Sequence, residues 1–196
     1  MAGNPERRAA LLDAGIEVLA REGARGLTFR AVDTAAGVPV GTASNYFGGR
    51  DDLLRQIDGR VHTRLTPDPE VLGALMKAPK DRALVTALMH DLMTRVTGDR
   101  TGYLALLELR LEATRRPELR ASYTESVRGE LEYGMTFHRE AGLPGGDETV
   151  VVLYLAMLGL ILEQVTLPGV LDGVLPGTGV PEELVERIVA RIVPER

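Results

Sequence analysis

The chain has 196 residues, of which 44% are hydrophobic and 26% charged, enough for a sizeable core and outside the range of disordered chains and stapled mini-proteins. Its 23 Lys and Arg stand against 28 Asp and Glu, and the formal charge of −5, taken over the whole chain, argues against a polyanionic partner. The absence of cysteine excludes a disulfide framework, a thiolate nucleophile and any Cys-ligated metal centre, and fits a reducing cytoplasm.

Apolar residues recur with helical period along nearly every ordered stretch, and alternating β-branched runs are missing, which predicts an all-α fold. A first helix is expected from about Pro5 to Glu22, capped by Asn4, with Leu12, Ile16 and Leu19 on one stripe and Gly23 as a left-handed stop. Two short helices follow, Phe29 to Ala36 and Val40 to Tyr46, separated by Gly37-Val38-Pro39. A fourth begins near Arg50 and carries Leu54, Ile57, Val61 and Leu65 until Thr66-Pro67-Asp68-Pro69 ends it. Beyond this step, helices are expected at about 69–77, 80–97, 101–115, 117–141, 147–167 and 181–193, punctuated by Pro79, Gly98, Pro117, Gly142 to Gly146 and Pro168 to Pro181. The expected organisation is therefore an N-terminal three-helix domain (1–49), a linker helix (50–66) and a larger helical domain (67–196).

Charge divides along the same line. Residues 1–65 hold nine Arg and eight acidic residues, a net of +1, whereas the remainder holds 14 basic and 20 acidic residues, a net of −6. The acidity is C-terminal, and the objection to a nucleic-acid partner does not apply to the N-terminal part.

Three short helices, the last pair joined by a tight glycine-containing turn, form the helix-turn-helix pattern, whose final helix enters the DNA major groove. The segment from Leu27 to Leu54 resembles the signature of the tetracycline-repressor (TetR-type) family of bacterial regulators. The resemblance rests on Thr28, the Ala35-Ala36-Gly37-Val38 turn, Gly41-Thr42, Phe47, the basic Arg50 and Leu53-Leu54. Members commonly have Ser-Lys in place of Pro39-Val40, Tyr in place of Ser44, His in place of Tyr46 and Pro-Ser in place of Gly48-Gly49, so operator sequence and affinity do not carry over.

Read as chemistry, the helix ending at Tyr46 presents small and polar side chains. Val40, Gly41, Thr42 and Ser44 allow close approach to base edges, Asn45 can pair bidentately with adenine, and the Thr42 methyl suits thymine. Thr28 and Tyr46 offer hydroxyls to phosphates, Arg50 sits at a helix N-terminus suited to an anion, and Arg30 can add a backbone contact. Phe47, Val32, Ala36 and Val38 are expected to form the small core that sets the angle between the two helices.

The resemblance implies a homodimer on a palindromic double-stranded operator, with a small-molecule effector held by the C-terminal helices and no cofactor or metal. Candidate wall residues are Met89, His90, Met93, Tyr103, Leu107, Glu108, Arg110, Tyr123, Met135, His138 and Met157. Glu108 can alternatively close an ion pair with Arg115, Arg116 or Arg120, and each of the others can be plain core. Helix 147–167 has too many apolar faces to cover a core on one side only. With helix 117–141 it suggests a four-helix dimer seam of Tyr123, Val127, Leu131, Val152, Leu155, Ala156, Gly159, Leu162 and Glu163. The apolar run from Val150 to Leu162 is expected to be too short to cross a membrane, and a cytoplasmic protein is predicted. Hydrolase, P-loop and zinc-helix motifs are missing, so no enzyme is expected. The alternative is a helical ligand-binding or enzymatic protein that has lost operator binding; there, Glu108 and Glu112 would be a carboxylate pair without an opposing group.

Overall fold

The computed structural model describes residues 4–195, and the regular elements among them are all helices. In chain order they are α1 (Pro5–Gly26), α2 (Phe29–Ala35), α3 (Thr42–Tyr46), α4 (Arg50–Leu65), α5 (Pro69–Leu75), α6 (Arg82–Gly98), α7 (Arg100–Ala113), α8 (Pro117–Glu140), α9 (Asp147–Thr166) and α10 (Pro181–Ile192). Packing divides the chain into two units. Of the described residues, 4–66 and 99–126 form the first, and 67–98 and 127–195 form the second. Thr66 is one edge of the first unit, and α7 and the first part of α8 pack in that same unit.

In the first unit α1 lies against α2, α4 and α7. Leu11, Ile16 and Leu19 of α1 and Leu53, Leu54, Ile57 and Val61 of α4 are almost fully buried. Gly15 lets the two helices close: a Cβ there would stand 2.9 Å from Ile57 Cδ1. Polar ties fasten the same elements. Arg60 of α4 donates to both carboxylate oxygens of Asp13 at 2.9 and 2.7 Å, and Arg64 donates to both of Asp99 at 2.8 and 2.6 Å. The Arg60 hydrogen bond holds the Asp13 carboxyl below the usual carboxylate range, against the opposing effect of its partial burial.

The α1 helix kinks at Gly23 rather than stopping there: with φ 69° and ψ 179° it takes a positive-φ extended conformation open to glycine, not the left-handed cap expected, and one more turn follows to Gly26. That break is clamped. The freed Ala24 N–H donates to the Glu108 carboxylate of α7 at 3.2 Å, and the Ala24 carbonyl accepts from Arg50.

In the second unit α6, α9 and α10 pack together around Leu84, Val85, Val96, Leu153, Met157, Ile161, Val165, Val185 and Val189. Arg82 donates to the Val193 carbonyl at 2.8 Å and so fixes the chain after α10 to the start of α6. The Gly- and Pro-rich segment between α9 and α10 is a series of turns folded on Thr178, which is 6% exposed and whose hydroxyl lies 2.6 and 2.8 Å from the Leu171 and Leu175 carbonyls. The run from Val150 to Leu162 lies within α9, which is 20 residues long and holds an 18-residue window of mean hydropathy 1.9; by length and composition the helix as a whole could cross a membrane, a test that the core helix of a soluble protein also passes.

Candidate nucleic-acid interface

The helix-turn-helix is built on a hydrophobic floor of Leu27, Val32, Ala43 and Phe47, each at most 3% exposed, with Ala36 and Val38 half-buried above it. Thr28 caps α2, its hydroxyl oxygen accepting the Ala31 N–H at 3.1 Å, which leaves its own O–H hydrogen for another acceptor. The turn then uses Gly37 at φ 64° as expected. The reader helix α3 is shorter than the sequence predicts and starts at Thr42, because Gly41 takes φ 94° and cannot lie inside a helix.

A buried carboxylate orders this turn. Asp33 of α2 is 1% exposed and accepts the N–H groups of Gly41 and Ala43, both at 2.7 Å. It satisfies free donors at the α3 N-terminus that a residue at the cap position would normally take. Sequence reasoning missed it. The available signal was an aspartate on the i, i+3, i+4, i+7 stripe of Phe29, Val32 and Ala36, where an apolar residue belongs.

At the other end of α3 a chain of polar contacts fixes the turn into α4. Asp52 accepts the Gly48 N–H at 3.0 Å and the Gln56 amide at 3.0 Å, and Gln56 in turn accepts from Arg8 at 2.7 Å. The Gly48 N–H is the main reason the Asp52 carboxyl is held below its ordinary range. The Arg8 guanidinium lies 5.6 Å from the centroids of both Tyr46 and Phe47. Arg8 too was missed, since its partners are some 40 residues away in sequence.

The expected DNA-contacting residues fall into two groups. Thr28, Arg30, Val40, Ser44 and Asn45 are exposed, and Gly41, Thr42 and Tyr46 are partly so. Arg50 differs: both terminal nitrogens of its guanidinium donate to backbone carbonyls, those of Ala24 and Leu27, so it ties α4 to the end of α1.

The expected effector residues are distributed over both units. Tyr103, Leu107, Glu108, Arg110 and Tyr123 belong to the first, and Met89, His90, Met93, Met135, His138 and Met157 to the second. The Glu108 carboxylate accepts the Ala24 N–H, while Glu112 pairs with Arg116 at 2.6 Å. His138 is 6% exposed with Nε2 2.9 Å from the Pro144 carbonyl, a contact that closes the turn after α8. His90 is different. Its Nε2 is buried without a hydrogen-bond partner, while Thr86, Asp91, Thr94, Arg95 and Thr97 on the same helix all have one. A hollow of about 520 Å³ between α5 and α6, lined by Val71, Ala74, Leu75, Ala78, Leu84 and Ala87, contains none of the expected wall residues.

The expected seam residues of α9 lie on one outward stripe: Val152, Leu155, Gly159 and Leu162 are exposed, with Ala156 and Glu163 half-exposed beside them. On α8, Tyr123, Val127 and Leu131 are half-buried.

A family model described as bacterial regulatory proteins, tetR family, matches residues 11–57, and one described as tetracyclin repressor-like, C-terminal domain, matches residues 80–195. The chain belongs to the TetR family. Among solved TetR-like structures, the multidrug binding protein EbrR complexed with imidazole is 28% identical, with a TM-score of 0.68 over 97% of both chains. A TetR-family member from Streptomyces coelicolor is 27% identical, with a TM-score of 0.70 over 97% of this chain and 99% of that one. The fatty acid degradation regulator FadR from Bacillus halodurans shares the fold, with a TM-score of 0.73 at 17% identity over 98% and 96% of the two chains. The HTH-type transcriptional regulator BetI of Agrobacterium fabrum is 30% identical over 86 residues, a match that spans 44% of this TetR-family chain and 41% of the relative.

Proposed function

We propose that this TetR-family chain is a homodimeric transcriptional repressor that leaves its operator when a small molecule binds. The observation that carries the reading is the α3 surface: a reader helix pinned from beneath by Asp33, with Asn45, Ser44 and Val40 standing free in solvent. Two such helices in successive major grooves require half-sites about 34–36 Å apart and a palindromic operator. Thr28, Arg30, Thr42 and Tyr46 serve as further contacts, with Gly41 giving close approach. Arg50 acts indirectly, by holding α4 against α1.

Support for a dimer comes from the α9 stripe of Val152, Leu155, Ala156, Gly159 and Leu162, which is exposed in the single chain, with open space over Gly159. Paired with its copy and with Tyr123, Val127 and Leu131 of α8, it makes a four-helix seam. Effector binding is supported by the orphaned His90 Nε2 beside Met89 and Met93, because a buried polar atom without a partner costs about 1–3 kcal/mol that a ligand hydrogen bond removes. EbrR, described as a multidrug binding protein, has also been solved with ethidium. Transmission runs through α4, which is tied to α7 and its flanks near both ends, by Asp51 to Arg116 and by Arg64 to Asp99. Any rearrangement of α7 is thereby passed to α4 and the reader, and a coupling of about 1–3 kcal/mol suffices for release.

Anisotropy titration of the full-length protein against duplex DNA flanking its own gene, at several salt concentrations, tests the first step. Binding that weakens as salt rises is expected. Failure to bind at low salt overturns the proposal.

A further inference from the structure

The face that α3 turns to a groove is uncharged and partly apolar. From Val38 to Gly48 there is no Arg, Lys, Asp, Glu or Gln. Arg or Lys on guanine O6 and N7 is the commonest specific base contact, and this reader has no side chain that can make it. Val40 instead is 74% exposed, the highest value of any large apolar side chain among the described residues. An isopropyl group left in water contributes nothing to folding, since only its burial would stabilise the chain.

The polar donors around Val40 are turned inward. The Gly41 and Ala43 N–H groups go to Asp33, the Thr42 N–H goes to the Pro39 carbonyl at 3.1 Å, the Thr42 hydroxyl donates to the same carbonyl at 2.5 Å and the Ser44 hydroxyl donates to Gly41 O at 2.8 Å. With the Gly41, Thr42 and Ala43 amides occupied, the start of α3 has few free donors to offer a phosphate. Beside Ser44 and Tyr46, the groups left facing solvent at the tip are the Val40 isopropyl group, the Thr42 methyl and the exposed Asn45 carboxamide. The C5-methyl of thymine is the apolar group among the base-edge features of the major groove, and adenine N6 and N7 match a carboxamide bidentately.

We infer that Val40 and Thr42 read thymine methyl groups and that Asn45 reads an adenine beside them, so that the core of each half-site consists of A·T pairs. This rests on the operator binding proposed above and adds which bases the reader selects.

The test begins with duplexes selected by the full-length protein from a random pool. In the selected duplex each dT is replaced in turn by dU, which removes the methyl and leaves the hydrogen-bonding edge intact. The selected half-sites are expected to carry A·T pairs at their core. At one or two thymines per half-site the dU duplex should bind about fourfold more weakly, the effect of one methyl-sized group returned to water. Val40→Ala should be insensitive to dU at one of those thymines while remaining sensitive at the others, with an unchanged melting curve because the side chain is exposed. A G·C core, a flat dU scan, or equal dU sensitivity of native protein and Val40→Ala at every thymine overturns the inference while leaving operator binding in place. Recovery of no duplex from the pool overturns operator binding itself.

Discussion

The two units satisfy themselves to different degrees. In the first, large apolar side chains are nearly all covered, Val40 and Leu111 being the exposed ones among the described residues, and long-range ion pairs join α1, α4 and α7. In the second, Val71, Tyr133, Val152, Leu155, Leu162, Leu167, Val170, Val174, Leu175 and Val180 all stand in solvent, and the α6 helix buries an unpartnered ring nitrogen. Under the proposed function, the unit that presents a surface to DNA has most of its apolar side chains covered beforehand, and the unit that meets a second copy and a ligand is left with exposed ones, because an interaction already satisfied internally offers nothing to binding.

The sharpest way to break this contrast is to charge the α9 stripe. Leu155→Arg should give a monomer in sedimentation velocity and lower operator affinity by about 100-fold or more, since the second half-site is then no longer held at high effective concentration. A Leu155→Arg dimer would mean that the stripe is not the seam. Next in size, Asp33→Ala should destabilise the first unit by about 3 kcal/mol in urea titration, because two N–H groups lose a buried charged acceptor. Asp33→Asn, with one acceptor oxygen, should recover part of the loss; equal stability of all three proteins would show that the cap carries no weight.

In the second unit the sign reverses. His90→Leu should stabilise the unliganded protein by about 1 kcal/mol, a rise of about 2–4 °C in Tm, because it removes an orphan rather than a bond. A fall in Tm would mean that the ring is satisfied. The smallest effect is the pH dependence of Asp13. Its folded carboxyl sits below the unfolded range near pH 4, so its contribution is complete above that pH and is lost as pH falls through the folded value. The pair is about one-third exposed, so the contribution is at most about 1 kcal/mol. Acid titration of Asp13→Asn should accordingly show a shallower loss of stability below pH 4, and an unchanged slope would assign the acid transition to other groups.

Much of the fold was written in local chemistry. Asn4, Pro5, Gly23, Gly37 and the Thr66 to Pro69 step act within a few residues of where they stand, and helix boundaries followed from them to within a few residues. The left-handed turn that delays the start of α3 from Val40 to Thr42 was not legible, because a helical pattern and a left-handed Gly41 are indistinguishable until the backbone is seen. The exposed readers were legible as residue types in a recognised pattern. The groups that hold them were not, since Asp33, Arg8, Arg50 and Glu108 act across 8 to 84 residues of sequence and nothing local marks their partners. For the same reason Arg50 and Glu108, assigned by type to a phosphate and an effector, turn out to hold backbone groups at the α1 break.

The buried Asp33 cap leaves the helix tip free to evolve. Because α3 is oriented from beneath and from its C-terminal turn, the exposed side chains proposed to meet DNA are relieved of keeping the helix in place. Val40 and Asn45 can change with little effect on stability, so a lineage built on this scaffold can move to new operators by substitutions at its tip while the Asp33, Asp52, Gln56 and Arg8 framework stays as it is.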